Sequence, residues 1–139
     1  MSIKRNASAH WAGSGKEGNG TLTSASGVLT DTQYSFNTRF ADGIGTNPEE
    51  LIAAAHAGCF SMKLAFVLQG LGHTADSIDT NATVVLDDGA ITEINLVTRA
   101  TIEGMSAEAF LAAATEAKEN CPISKLFNAA ISLDAALND

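Results

Sequence analysis

One stretch dominates the hydropathy of this 139-residue chain: from Leu51 to Gly70 nearly every position is apolar, whichever helical face it would occupy. Ahead of it, Asn47 is a good N-cap, Pro48 suits the first helical position, and Glu49 and Glu50 complement the positive end of a helix. A helix that is hydrophobic all round is a buried one. The pattern therefore predicts a long central helix wrapped by the rest of the domain, with Cys59 in its middle.

The flanking segments alternate with period two, as half-buried strands do. Ile3, Arg5, Ala7, Ala9 and Trp11 fall on one face, and Lys4, Asn6, Ser8 and His10 on the other. After a glycine-rich connection and a short Thr21-Leu22-Thr23 segment, Tyr34, Phe36, Thr38 and Phe40 line one face of a further strand, with Arg39 opposite. Past the long helix, Ile78, Thr80, Ala82, Val84 and Leu86 lead to Asp88-Gly89, a hairpin signal. The return strand aligns Ile94, Leu96, Thr98, Ala100 and Ile102. Ser106 can cap a second helix whose stripe is Phe110, Leu111, Ala114 and Ala117, and Asn120-Cys121-Pro122 breaks it and starts a short third one. Ile131, Leu133, Ala135 and Leu137 align on a closing strand. This order predicts an α+β fold, antiparallel β-sheets wrapping a long buried central helix, over residues 1–139 as a single domain.

Composition narrows the classes of partner. At 45% hydrophobic the chain can build a core, but one small domain has difficulty covering a helix apolar on nearly every face. Packing two such helices across a two-fold axis would bury both, so a homodimer is expected. Sixteen acidic residues against eight basic ones give a net charge of -8, which argues against binding nucleic acid or an anionic membrane. Met1 to Gly15 holds no signal-peptide core, and the apolar run is interrupted by His56 and Lys63. The expected compartment is the cytoplasm, where any disulfide between Cys59 and Cys121 would be transient and chemical.

Those two cysteines are the candidate chemistry, although most free cysteines are small buried hydrophobes. Cys121, ahead of Pro122 at a helix start, has backbone N–H groups and a helix dipole to favour its thiolate; Cys59 needs a cation brought from elsewhere. Arg39, which stays charged, and His56, three residues before Cys59 on the same helix face, are the candidates. Each also has a plain reading, as a solvated arginine and a satisfied helix histidine. Glu49 lies ten residues from Cys59, roughly 15 Å along a helix. It suffices as a first-turn acid, and acting at the thiol would require a second subunit. His56, Cys59 and Cys121 make a weak metal set. There is no CxxC, phosphate loop or GxSxG elbow.

Phe36-Asn37-Thr38-Arg39-Phe40, Gly45-Thr46-Asn47-Pro48-Glu49-Glu50-Leu51-Ile52 and Ala54-Ala55-His56-Ala57-Gly58-Cys59-Phe60-Ser61-Met62 together resemble the OsmC/Ohr family of osmotically inducible and organic hydroperoxide resistance proteins. Cys121-Pro122 and the closing strand extend the likeness over the whole chain. His-Ala-Gly-Cys-Phe and His10-Trp11 are closer to the osmotically inducible branch, with Gly58 where alanine is common. The resemblance implies a thiol peroxidase that reduces organic hydroperoxides as an intertwined homodimer. In it Cys59 is the attacking thiol, Cys121 the resolving thiol, and Arg39 and Glu49 the polar partners. It implies a dithiol reductant, with lipoyl groups as the precedent, and no metal, flavin or other cofactor. The rival classes are a non-enzymatic redox sensor using the same cysteines and a metal-binding module.

Overall fold

Strand structure begins at Ala7, later than the alternation from Ile3 suggests. The computed structural model describes residues 1–138 and divides them into two units, Met1–Leu51 and the chain from Ile52 onward.

In the first unit β1 (Ala7–Ala12), β2 (Asn19–Ser24) and β3 (Thr32–Ser35) form an antiparallel sheet in chain order. Register places Gly20 opposite both Trp11 and Tyr34, whose ring centroids lie 5.3 Å apart. A Cβ at Gly20 would run into both rings.

The expected strand through Phe40 stops at Ser35. Phe36–Phe40 is instead a short helix, α1. Ser35 starts it with a reciprocal cap: its hydroxyl accepts from the Thr38 N–H (3.3 Å), and Thr38 Oγ1 accepts from the Ser35 N–H (2.7 Å). Phe36 and Phe40 then sit one turn apart with centroids at 4.7 Å. Residues four apart share a face of either element, which is why the alternation misleads here. At Gly45 (φ +123°) the loop turns back against the Gln33 backbone, where a side chain would clash. The N–H of Thr46 donates to Gln33 O at 2.9 Å.

The long helix α2 runs Pro48–Gly70 as predicted. Asn47 Oδ1 accepts from the Glu50 N–H (2.7 Å), while Asn47 Nδ2 donates to Thr38 O (2.8 Å) and so ties the helix start to α1.

In the second unit β4 (Ser77–Asp87) and β5 (Ala90–Thr101) form the predicted hairpin. Asp88 (φ 51°) and Gly89 (φ 79°) are both left-handed, as a two-residue turn between twisted strands requires. The all-antiparallel expectation fails at β6 (Ala130–Leu137), which pairs with β5 in parallel. A parallel neighbour needs a long crossover, and α3 (Ala107–Asn120) with α4 (Pro122–Leu126) supplies it. Phe60, Leu64 and Leu68 of α2, Ile94, Leu96 and Ala100 of β5, and Phe110, Ala113, Ala114 and Ala117 of α3 make one core. In the α3 stripe Ala113 is buried where Leu111 was expected, and Leu111 is exposed.

The expectation that α2 is buried all round also needs correction. By length and composition alone it could cross a membrane. Within this chain only the stripe His56, Phe60, Leu64 and Leu68 is buried. Met62 and Phe66 remain 65% and 63% exposed, so one side of an apolar helix lacks cover.

Candidate active site

Both cysteines belong to the second unit and are free thiols. Cys59 is half-buried on α2. Cys121 is fully buried at the junction of α3 and α4, where its N–H donates to Ala117 O (2.9 Å) and its carbonyl accepts from the Lys125 N–H (3.1 Å). It thus closes one helix and opens the next, with Pro122 fixing the start of α4. The fold packs the two side chains into one cluster, with Cys121 in the buried core and Cys59 against it.

Their electrostatics differ. Burial pushes the Cys59 thiol up, and the hydrogen bond and charge of Cys121 push it further; the Ile123 N–H and the Lys63 ammonium pull it down without reversing the shift. At Cys121 burial also acts upward. It is outweighed by hydrogen bonds from the Ser124 side chain and backbone, from Cys59 and from the Ile123 backbone, and the thiol lies below its ordinary value. Ile123 and Ser124 occupy the first turn of α4, where N–H groups have no helical acceptor. In the single chain the shifts run in opposite directions, Cys59 up and Cys121 down, the order that the helix-start argument anticipates.

His56 is fully buried, with Nε2 2.7 Å from Ser124 Oγ and its ring edge-on to Phe127 at 5.8 Å between centroids. Burial lowers its pKa and so favours the neutral ring. Its polar partner is Ser124, whose hydroxyl also reaches Cys121 Sγ at 3.5 Å.

Arg39 and Glu49 meet in the first unit. Arg39 Nε donates to Glu49 Oε1 (2.9 Å) and Nη2 to Oε2 (3.0 Å), a bidentate pair. Arg39 comes from α1, not from the predicted strand, and also lies over the Phe40 ring at 5.3 Å. Beside it Trp11, Tyr34, Phe36, Phe40 and Pro48 help line a cavity of about 250 Å³.

Sequence reasoning overlooked two contributors. Lys63, noted there only as an interruption of the apolar run, stands four residues after Cys59 on α2 and acts on its thiol; helical spacing alone would have found it. Ser124 follows Cys121 by three residues, the offset at which a first-turn side chain meets a capping residue. Among the described residues no three of His, Cys, Asp and Glu gather as a metal-ligand set.

The architecture recurs in solved proteins. An OsmC-like protein from Mycoplasma pneumoniae superposes with a TM-score of 0.79 over 100% of both chains at 14% identity. The organic hydroperoxide resistance protein OhrB of Bacillus subtilis gives 0.65 at 28% identity, covering 96% of this chain and 98% of its own. Residues 41–136 match the family described as OsmC-like protein, and the chain belongs to that family. Among its relatives, peroxiredoxin OsmC of Escherichia coli (strain K12) is 47% identical over 141 aligned positions and 99% of each chain, as is its Shigella flexneri counterpart. These likenesses put it on the OsmC branch.

Proposed function

We propose that this chain is a cytoplasmic thiol peroxidase that reduces organic hydroperoxides to alcohols in defence against oxidative or osmotic stress. The observation that carries the reading is the pair of free thiols, Cys59 and Cys121, packed into one cluster from α2 and the α3–α4 junction. The names of the relatives, peroxiredoxin OsmC and organic hydroperoxide resistance protein, point the same way.

Cys59 is the attacking thiol and Cys121 the resolving one. The single chain favours the Cys121 thiolate, so the attacker needs a cation. Arg39, oriented by Glu49, supplies it to Cys59 of a second copy. A guanidinium there lowers the Cys59 pKa, so that Cys59 is the thiolate while Cys121 keeps its proton. The Cys59 thiolate attacks the terminal peroxide oxygen, the O–O bond breaks, and the alkoxide leaves and takes a proton from solvent. Cys59 is then a sulfenic acid. Cys121 attacks its sulfur, an S–S bond replaces the S–O bond, and the displaced hydroxide with the Cys121 proton becomes water. A dithiol, with lipoyl groups as the candidate, reduces the disulfide by exchange. The aromatic cavity beside Arg39 favours alkyl or aryl hydroperoxides over hydrogen peroxide.

The second copy is proposed from the uncovered side of α2, where Met62 and Phe66 face solvent; two-fold packing would bury both helices. Light scattering at micromolar concentration should give a dimer mass, and a monomer would remove this arrangement. Glu49→Ala chains refolded with Cys59→Ser chains should recover part of the lost activity if the polar pair acts in trans. Verified heterodimers without recovery would count against it.

The central experiment is consumption of cumene hydroperoxide with excess dithiol by wild type and Cys59→Ser side by side. Multiple turnovers by wild type and none by Cys59→Ser are expected. Oxidation that halts after one equivalent would make the protein a redox sensor.

A further inference from the structure

Three side chains stand in line behind the thiol pair. His56 Nε2 is 2.7 Å from Ser124 Oγ, and Ser124 Oγ donates to Cys121 Sγ at 3.5 Å. His56 and Cys121 are fully buried and Ser124 is 8% exposed, so no bulk water competes for these contacts. A serine hydroxyl has one hydrogen. If that hydrogen points at Cys121, the contact with His56 must be made by an Nε2–H donating to Ser124 Oγ. The ring is then neutral with Nδ1 unprotonated, and Nδ1 is a buried nitrogen without a partner. An unpaired lone pair is the cheaper of the two ways to leave it, since an N–H there would be a buried orphan donor. The chain therefore has a direction, His56 to Ser124 to Cys121.

We propose that His56 and Ser124 are positioning residues for the resolving step: a buried donor chain that fixes the Ser124 hydroxyl on the Cys121 sulfur and stabilises negative charge there. This rests on the peroxidase reading and assigns it two further residues. Charge builds on Cys121 twice in that cycle. It appears as the Cys121 S–H gives its proton to the hydroxide leaving the Cys59 sulfenic acid, while the S–S bond forms. It appears again when a dithiol attacks the Cys59 sulfur and Cys121 departs as a thiolate, because the better-stabilised thiolate leaves faster. The groups that act on Cys121 from neighbouring elements are Cys59 of α2, with Lys63 behind it, and the two first-turn N–H groups of α4.

The test is the thiolate absorbance of Cys121 against pH in a Cys59→Ser background, which needs no peroxide and so stands or falls apart from the peroxidase activity. Adding Ser124→Ala should raise the midpoint by about one pH unit, the loss expected for one hydrogen bond to a charged group. Ser124→Thr, which keeps the hydroxyl, should restore it, and His56→Leu should give a smaller rise. An unmoved midpoint in Ser124→Ala would overturn the proposal. Should that variant fail to fold, nitrogen NMR of histidine-labelled wild type decides. The expected result is a neutral His56 with its proton on Nε2; a proton on Nδ1 would reverse the chain and refute it. If the midpoint shifts but wild type consumes no peroxide, the peroxidase reading fails and the donor chain stands.

Discussion

Arg39 and Glu49 meet near the surface, with 42% and 13% of their side chains exposed, through two parallel N–H···O bonds. Cys59 and Cys121 meet at the edge of a packed core, one half-buried and the other closed off. The first pair comes from residues ten apart, joined by the short loop between α1 and α2; the second joins distant parts of the sequence through the β4–β5–β6 sheet and its crossover. A local ion pair whose arginine is partly exposed contributes less to holding the fold than a packed core does, so its residues are freer to be chosen for chemistry. Thiols embedded in a core have their pKa values set by burial and by neighbouring N–H and O–H groups. Changing residues in these two regions should therefore separate activity from stability.

The largest effect is expected at the thiols themselves. Cys59→Ser should lose turnover altogether, whereas Cys121→Ser should oxidise once and stall as a sulfenate. Mass spectrometry after one equivalent of peroxide distinguishes them. An unoxidised Cys59 in Cys121→Ser would exchange the two roles, as the lower thiol pKa of Cys121 in the single chain would have it.

Next comes the core beneath them. Phe60, next to Cys59 and fully buried, should cost about 3–5 kcal/mol of stability as Phe60→Ala, read by urea denaturation. Arg39→Ala should cost at most about 1 kcal/mol by the same measurement, yet slow Cys59 oxidation by about tenfold or more and raise the Cys59 pKa. A large stability loss in Arg39→Ala with an unchanged oxidation rate would erase the contrast between the regions.

The same contrast governs what could be read in advance. Local signals carried far: Asn47-Pro48-Glu49-Glu50 starts α2, Asp88-Gly89 turns the hairpin, and Ser106 caps α3 with its hydroxyl on the Ala109 N–H. The α1 error was local as well, since Ser35 and Thr38 carry a capping signal that the period-two pattern of Tyr34, Phe36, Thr38 and Phe40 outweighed. Non-local facts were out of reach. Nothing in the β6 sequence marks its parallel pairing with β5, and no spacing rule brings Ser124 to His56 or Cys121 to Cys59. The uncovered side of α2 was legible only in part. All-round apolarity predicted burial, but one chain buries a single stripe.

The smallest expected effect is a pH dependence that isolates the buried histidine. Burial lowers the pKa of folded His56, whereas in the unfolded chain it titrates near the ordinary 6.5. Below that pH the unfolded chain binds a proton that the folded chain refuses. Stability present above pH 6.5 is then lost as the pH falls towards the folded value, at no more than about 1.4 kcal/mol per pH unit for one proton. His10, His73 and every carboxylate are common to wild type and His56→Gln, so their contributions largely cancel in the difference between the two proteins. Urea midpoints at fixed protein concentration from pH 7.5 to 5.5 should fall more steeply for wild type than for His56→Gln. Parallel curves would mean that folded His56 accepts a proton as readily as the unfolded chain does, which its contacts with Phe127 and Ser124 make costly.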